Sequence, residues 1–184
     1  MLYLIGGVPR VGKSTLAQLI LERNKIAYID IDWIVHMLMF AAPQLGVKVC
    51  TDMNENECRN KAINLYPFLY QFITYNQPVV DNYVIEGDGF LPEQVSKLKK
   101  EFQVKACFLG TSDLQPEILL NNPSKNNWIK RLSKQELSEL CKGIVNVSKF
   151  VKNECSTYKI QYFDISNDYN GQIEKSYQYL TNSS

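Results

Sequence analysis

The sequence of 184 residues contains few side chains that could hold a metal or form a disulfide framework. It has one histidine, His36, and its cysteines form no Cys-x-x-Cys pair. The cysteines are Cys50, Cys58, Cys107, Cys141 and Cys155. Zinc sites need closely spaced cysteine or histidine ligands, so we do not expect one. An odd number of scattered cysteines is typical of free thiols in a reducing compartment, which favours a cytoplasmic protein.

The sequence also lacks a large charge imbalance and a long apolar segment. Its 20 Lys and Arg residues nearly balance 19 Asp and Glu residues, and the formal net charge is +1. This balance gives no reason to expect a nucleic-acid-binding or membrane-binding surface. No run of about eighteen apolar residues occurs, so a transmembrane helix is not expected. The length predicts a single domain over residues 1–184, and the sequence does not indicate an oligomeric state.

The most informative segment is GVPRVGKST, at residues 7–15. A glycine, four residues and then Gly-Lys-Ser form the pattern of a phosphate-binding loop. Gly7 and Gly12 allow a tight turn around an anion, and the backbone N–H groups then point at the phosphates. Lys13 is expected to reach the β- and γ-phosphates, and the Ser14 hydroxyl to ligate Mg²⁺. The candidates for cofactor binding are Gly7, Val8, Pro9, Arg10, Val11, Gly12, Lys13, Ser14 and Thr15.

The surroundings of the loop support this interpretation. An apolar strand is expected at residues 2–5, just before the loop, and an apolar helix begins just after it. Strand, loop and helix form the context that the motif requires. The alternative is a glycine-rich turn with an incidental lysine. Because the loop begins at Gly7, we do not expect the first residues to be a cleaved signal peptide.

Five apolar segments alternate with helical patterns along the chain. Strands are expected at about 2–6, 26–32, 83–86, 104–109 and 160–165. This alternation predicts an α/β fold with a five-stranded parallel sheet and helices on both faces. Pro67 is expected to kink or split a helix at about 55–75. Residues 121–127 are polar and contain a proline, so they are expected to form a mobile loop.

Polar residues follow several of these strands. Asp30 and Asp32 end the second strand, and Glu86 ends the third. Because the carboxyl ends of parallel strands meet at one edge of a sheet, these side chains are expected near the phosphate-binding loop. Asp30 and Asp32 alternate, so on one strand they would point to the same face.

At this point the order of elements resembles the adenylate-kinase-like P-loop small-molecule kinases. That group has a parallel sheet in the order 2-3-1-4-5 and a lid between the last two strands, which implies a lid at about residues 112–133. The segment around Asp32 resembles the chloramphenicol phosphotransferase and zeta toxin branch, in which an aspartate after the second strand is the catalytic base. Ile85-Glu86-Gly87 followed by Leu91-Pro92-Glu93 is similar to 2-phosphoglycerate-kinase-like proteins.

The resemblance implies a role for each carboxylate, and each has a structural alternative. Asp32 would be the general base, or else the N-cap of the next helix. Asp30 would orient a Mg²⁺-bound water or Lys13, or else bind a helix N-terminus. Glu86 would hold Mg²⁺ or the acceptor, or else be a buried glutamate paired with a basic residue. Asp88 is a weaker candidate in the same segment.

Cationic side chains are needed to stabilise the transferring phosphoryl group. Arg131, beside the expected lid, is the leading candidate for catalysis, and Arg59 for binding an anionic acceptor. Further candidates are Arg10, Lys125 and Lys130. The alternative for each is a solvated surface residue. His36 is expected to be a packing or surface residue, with a place in the pocket near Asp32 as the alternative. Trp33 and Trp128 are expected to pack in the core or lid, with stacking on a base or an aromatic acceptor as the alternative.

Together these features predict a kinase that uses ATP and Mg²⁺ to phosphorylate a hydroxyl of a small molecule. The expected catalytic residues are Lys13, Asp32 and Arg131, with Ser14 and Glu86 at the metal. The acceptor-binding residues would be Asp30, Asp32, Arg59 and Glu86. The alternatives are a nucleotide-binding regulatory module without transfer and a toxin-like nucleotide-sugar kinase. The identity of the acceptor does not follow from the sequence.

Overall fold

The computed structural model describes residues 1–49, 52–121 and 128–182. The strands are β1 (Leu2–Gly7), β2 (Tyr28–Asp30), β3 (Tyr83–Glu86), β4 (Val104–Gly110) and β5 (Gln161–Asp164). The helices are α1 (Lys13–Asn24), α2 (Ile31–Ala41), α3 (Glu55–Asn76), α4 (Pro92–Leu98), α5 (Pro116–Asn121), α6 (Lys134–Tyr158) and α7 (Tyr169–Thr181). Short 3-10 turns occur at Pro43–Leu45 and Trp128–Arg131.

All five strands form one parallel sheet in the order β2-β3-β1-β4-β5. Leu4 and Ile5 of β1 point to opposite faces of the sheet, and both are fully buried. Helices therefore cover the sheet on both faces, which confirms the expected α/β fold and strand order. In the register, Glu86 lies opposite both Ile5 and Asp30. The ends of three strands thus meet beside the phosphate-binding loop.

The second strand is shorter than its apolar sequence suggested. It ends at Asp30, and α2 begins at Ile31. The Asp30 side chain accepts a hydrogen bond of 2.9 Å from the backbone N–H of Asp32 and so caps the helix. The expectation that Asp30 and Asp32 share one face of a strand is therefore wrong. The alternative of a capping aspartate holds for Asp30 instead of Asp32, because the N-cap bond stops the strand two residues earlier.

Helix α3 runs without a break through Pro67, so the expected split at this proline does not occur. Asn54 begins the helix by accepting a hydrogen bond of 3.0 Å from the N–H of Glu57. Proline removes the N–H that would bond to the carbonyl of Ile63. Ile63 is exposed, so water can satisfy that carbonyl. Meanwhile the opposite face, which includes Leu65, stays packed in the core.

The region of the expected lid contains α5 and the turn Trp128–Arg131. The expected mobile loop at 121–127, with Lys125, falls outside the described residues from position 122 onward. Beyond this region, a capping box formed by Ser133 and Glu136 begins α6. The N–H of Glu136 donates to the Ser133 hydroxyl at 3.2 Å, and the N–H of Ser133 donates to the Glu136 carboxylate at 2.7 Å. Within the parts of the chain described, none of the helices is long and apolar enough to cross a bilayer.

Candidate active site

The loop between β1 and α1 has a backbone that only particular residues can adopt. Gly7 and Gly12 have φ angles of 127° and 87°, and Arg10 has a φ of 67°. A Cβ atom on Gly7 would lie 1.9 Å from the backbone carbonyl oxygen of Leu109, so glycine is required there. The loop is therefore held tightly against the end of β4.

The N-terminus of α1 opens onto this loop. Gly12 is its N-cap and provides no side-chain hydrogen bond, and the first turn contains no acidic residue. The first N–H groups of a helix have no partner within the helix, and they carry a partial positive charge. The geometry and charge of the loop and the helix together therefore suit an anion such as a phosphate.

Lys13, the first residue of α1, lies over the loop. Its ammonium donates a hydrogen bond of 2.7 Å to the carbonyl of Val8. On the other side of the helix, the Tyr169 hydroxyl donates to the Thr15 hydroxyl at 3.2 Å. A Cβ atom on Gly12 would lie 2.5 Å from the same Tyr169 hydroxyl. Helix α7 thus packs directly against the base of the phosphate-binding loop.

Glu86 lies at the end of β3 and is 2% exposed. Burial raises the pKa of Glu86, and this rise is opposed by the charge of Lys13 and by a hydrogen bond from Ser14. Within the described parts of the chain, its buried Oε1 atom makes no hydrogen bond. An unsatisfied carboxylate oxygen beside the Ser14 hydroxyl fits a hard cation such as Mg²⁺, which prefers oxygen ligands.

The described residues contain no group of three or more His, Cys, Asp or Glu side chains placed to hold a metal ion by themselves. Mg²⁺ usually keeps several waters and takes one or two protein ligands together with substrate phosphates. Ser14 and Glu86 would supply those protein ligands here. With waters and phosphates as the further ligands, these two residues fit a Mg²⁺ ion that enters with a nucleotide.

Two aspartates and a lysine form a cluster next to this group. The Lys61 ammonium of α3 lies 2.5 Å from the Asp88 carboxylate and 3.6 Å from the Asp32 carboxylate. The side chain of Lys61 is only 4% exposed, whereas that of Asp32 is 50% exposed. Burial disfavours the ionised form of Asp88, but Lys61 and Lys13 outweigh that effect and lower its pKa. The buried Lys61 and the partly exposed Asp88 therefore form an ion pair beside the more open Asp32.

The electrostatic contacts join these groups into one site. Burial raises the pKa of Asp30, the Asp32 N–H lowers it, and the charges of Asp32, Lys13 and Asp88 also act on it. Asp88 further lines an apolar cavity shared with Val8 and Pro9 of the loop. The structure thus brings Asp30, Asp32, Glu86 and Asp88 together with Lys13.

The sequence reasoning missed Lys61. A single lysine in a helical segment belongs to no motif, and most lysines are solvated. Its position held a signal, because it follows Cys58 by three residues and precedes Leu65 by four, on the buried face of α3. A lysine on a buried helix face needs an acidic partner.

Two arginines proposed from the sequence, Arg59 and Arg131, make their described contacts away from this cluster or have none described. Arg59 forms ion pairs with Glu154 at 2.9 Å and with Glu55 at 3.1 Å. Its guanidinium also stacks 4.5 Å from the ring centre of Phe150. Arg131 ends the turn Trp128–Arg131 and is exposed. Neither has a described contact with the loop or the carboxylates.

Known proteins resemble this chain in their three-dimensional structure. No protein-family profile matches the sequence, and no curated protein sequence is detectably similar to it. A gluconokinase from Sinorhizobium meliloti 1021 matches with a TM-score of 0.57 and 12% identity, over 97% of this chain and 90% of that chain. A shikimate kinase from Bacteroides thetaiotaomicron matches with a TM-score of 0.54 and 19% identity, over 98% and 95%. The chain has the fold of the P-loop small-molecule kinases.

An uncharacterized protein from Eubacterium ventriosum ATCC 27560 is also similar, with a TM-score of 0.58 and 14% identity over 100% of this chain and 99% of that chain. At such identities the likeness establishes the fold alone. The expected resemblance to the adenylate-kinase-like P-loop kinases is therefore confirmed for the fold. The narrower resemblance to the chloramphenicol phosphotransferase, zeta toxin and 2-phosphoglycerate-kinase-like group stays a prediction.

Proposed function

We propose that the protein transfers the γ-phosphate of Mg·ATP to a hydroxyl group of a small molecule. The observation that carries this proposal is the position of Asp32. Its half-exposed carboxylate lies at the same sheet edge as the phosphate-binding loop, and it is held by the buried Lys61. Kinases need such a carboxylate next to the donor phosphates to orient the attacking hydroxyl.

The donor half of the site is the loop with the start of α1. Its N–H groups would bind the β-phosphate, and Lys13 would leave the Val8 carbonyl to neutralise the β- and γ-phosphates. Ser14 and Glu86 would hold the Mg²⁺ that accompanies ATP and that neutralises charge on the phosphates. The stabilisation of phosphate charge by these groups is the main contribution of the donor half.

The acceptor half is formed by Asp32, Asp88 and Lys61. Asp32 would accept the proton from the acceptor hydroxyl while the oxygen attacks the phosphorus. Lys61 keeps the Asp32 carboxylate in place through the ion pair at 3.6 Å. Arg131, from the lid region, would approach the phosphoryl group when ATP binds. We leave Arg59 out of the proposed site because Glu55 and Glu154 bind it.

The test is ATP turnover with a panel of small hydroxyl compounds. Asp32→Asn keeps the shape of the side chain but cannot take up the proton, and kcat should fall by roughly 10²–10⁴. Lys13→Met should abolish turnover. Asp81→Asn is the matched control, because Asp81 is exposed in the segment before β3 and should turn over as wild type.

Two outcomes would count against the proposal. With an acceptor found, a loss of less than about tenfold in Asp32→Asn would remove Asp32 as the base. Binding of Mg·ATP without transfer to any compound, in a protein that otherwise folds normally, would contradict the kinase function itself.

A further inference from the structure

The charges around the acceptor half of the site are unequal. Asp32 and Asp88 both pair with the buried Lys61, and the charges of these two aspartates act on Asp30. Lys13 also acts on Asp30 and Asp88, but in the proposed function it moves to the phosphates of ATP. We propose that the acceptor is a hydroxyl compound without a negative charge, namely an amino alcohol or a neutral polyol. This inference rests on the proposed function.

The first support is the state of Lys61. It lies 2.5 Å from the Asp88 carboxylate, and its side chain is 4% exposed. A carboxylate or phosphate on the acceptor would have to displace Asp88 to reach the ammonium. Asp88, whose side chain is 21% exposed, would then lose its cation, which is unfavourable for a largely buried carboxylate. Lys61 is therefore a positioning residue for Asp88 and Asp32 rather than a ligand for an acceptor anion.

The second support is Arg59, which the sequence suggested as the ligand for an anionic acceptor. Glu55 and Glu154 both bind its guanidinium, and Phe150 covers one face. To reach an acceptor, Arg59 would have to abandon Glu154, whose side chain is only 11% exposed. If Lys61 or Arg59 bound a negatively charged acceptor, each would therefore leave a largely buried carboxylate without its partner.

The third support is the accessible surface of the aspartates. The side chain of Asp32 is 50% exposed and that of Asp88 is 21% exposed, whereas Lys61 lies beneath them. An acceptor would thus meet carboxylate oxygens. These oxygens accept hydrogen bonds from hydroxyl groups and attract an ammonium group, and they repel a carboxylate.

The experiment compares compounds that differ only in the charge at one end. One series is gluconate, sorbitol and glucamine, and a second is glycerate, glycerol and 3-amino-1,2-propanediol. Phosphate transfer from ATP to each is measured as kcat/KM. Binding of each in the presence of Mg²⁺ and a non-hydrolysable ATP analogue is measured by ligand-observed NMR. The acid of each series should be at least about tenfold worse than the ammonium compound, because like charges repel in the site.

A wild-type protein that prefers the acid, or that treats the acid and the ammonium compound alike, would overturn the inference and leave the kinase function intact. Tightest binding of the ammonium compounds without any phosphate transfer would instead support the inference about charge and contradict the proposed function. The two failures are therefore distinguishable.

A variant pair tests the reason for the preference. Asp88→Asn removes the carboxylate that neutralises Lys61, so the ratio of acid to ammonium binding should rise about tenfold or more. The double variant Lys61→Met with Asp88→Asn should not show this rise. Thermal melting of both variants reports whether they fold, and the wild-type comparison stands without them. An unchanged ratio in folded Asp88→Asn would contradict the assigned role of Lys61.

Discussion

The Asp30 carboxylate accepts a hydrogen bond of 2.9 Å from the backbone N–H of Asp32, two residues further along the chain. This bond ends β2 and begins α2, so the two aspartates lie on different elements. Asp30 is thereby committed to the helix cap, whereas the Asp32 carboxylate lies 3.6 Å from the Lys61 ammonium. Two aspartates that look equivalent in sequence therefore have different roles.

This difference predicts a clear result for substitutions of Asp30. Asp30→Ala should lower the free energy of unfolding by about 1 kcal/mol, since it removes the cap of α2. Asp30→Asn should keep most of that stability, because an asparagine side chain is an equally good N-cap. Denaturation in urea measures both. Equal losses in the two variants would show that the charge of Asp30, and not its cap, stabilises the helix.

Gly7 and Gly46 form a matched pair for testing the phosphate-binding loop. Both have positive φ angles, 127° and 68°. Among the described residues, a Cβ atom at Gly46 would meet only the Asn64 side chain, at 3.7 Å, so Gly46→Ala should cost roughly 1–2 kcal/mol from the backbone alone. At Gly7 it would meet the Leu109 carbonyl oxygen at 1.9 Å.

Gly7→Ala should therefore lose clearly more stability than Gly46→Ala and should also lose ATP binding. Urea denaturation and titration with a fluorescent ATP analogue measure the two effects. Gly46→Ala should bind the analogue as wild type. Similar losses at the two positions would contradict the close contact between the loop and β4.

The burial of Glu86 predicts that the stability of the folded protein depends on pH. Burial raises its pKa in the folded protein, so the folded state binds this proton more tightly than the unfolded state does. The resulting stabilisation is fully present below the unfolded pKa of about 4.3 and is lost as the pH rises through the raised pKa. Glu86→Gln carries no such proton. The stability of wild type relative to Glu86→Gln should therefore fall as the pH increases from 4 to 8.

Urea denaturation of both proteins at several pH values measures this difference. Parallel curves would show that Glu86 has the same pKa in the folded and unfolded states. Stability that rises with pH in wild type relative to Glu86→Gln would show that Lys13 and Ser14 outweigh burial.

Arg59 provides a test of the ion pairs on α3. Arg59→Met should lower the free energy of unfolding by about 1–2 kcal/mol, because Glu154 loses its partner in a largely buried position. The KM for an identified acceptor should stay within about twofold of wild type, because Arg59 makes no contact with the acceptor in the proposed site. A rise in KM of about tenfold or more, at unchanged stability, would show that Arg59 binds the acceptor as the sequence pattern predicted.

The sequence was informative where function depends on neighbouring residues. The loop at residues 7–15 carries its glycines, lysine and serine in one short pattern, so its conformation could be predicted locally. The partner of Lys61 could not be found in this way. Asp88 lies 27 residues away, and only the packing of α3 against the end of β3 brings the two side chains together.

The boundary of β2 shows a second limit. Apolar residues continue through Ile31, so periodicity alone favours a longer strand. The hydrogen bond from the Asp32 N–H to the Asp30 side chain begins a helix at this point instead. Such a bond between a side chain and the backbone competes with pairing of the strand in the sheet. Patterns of hydrophobicity do not contain that information.

The position of β1 at the centre of the sheet has a consequence for how the protein is made. During synthesis this strand leaves the ribosome before the two strands that pair with it, in which Tyr83 and Val104 lie opposite Leu2. The loop that follows β1 packs on Leu109, so it cannot take its final conformation until β4 has emerged. Long-range pairing of this kind slows folding and leaves an apolar strand exposed in nascent chains. ATP, which we expect to bind this loop, can therefore stabilise the protein only at a late stage of folding.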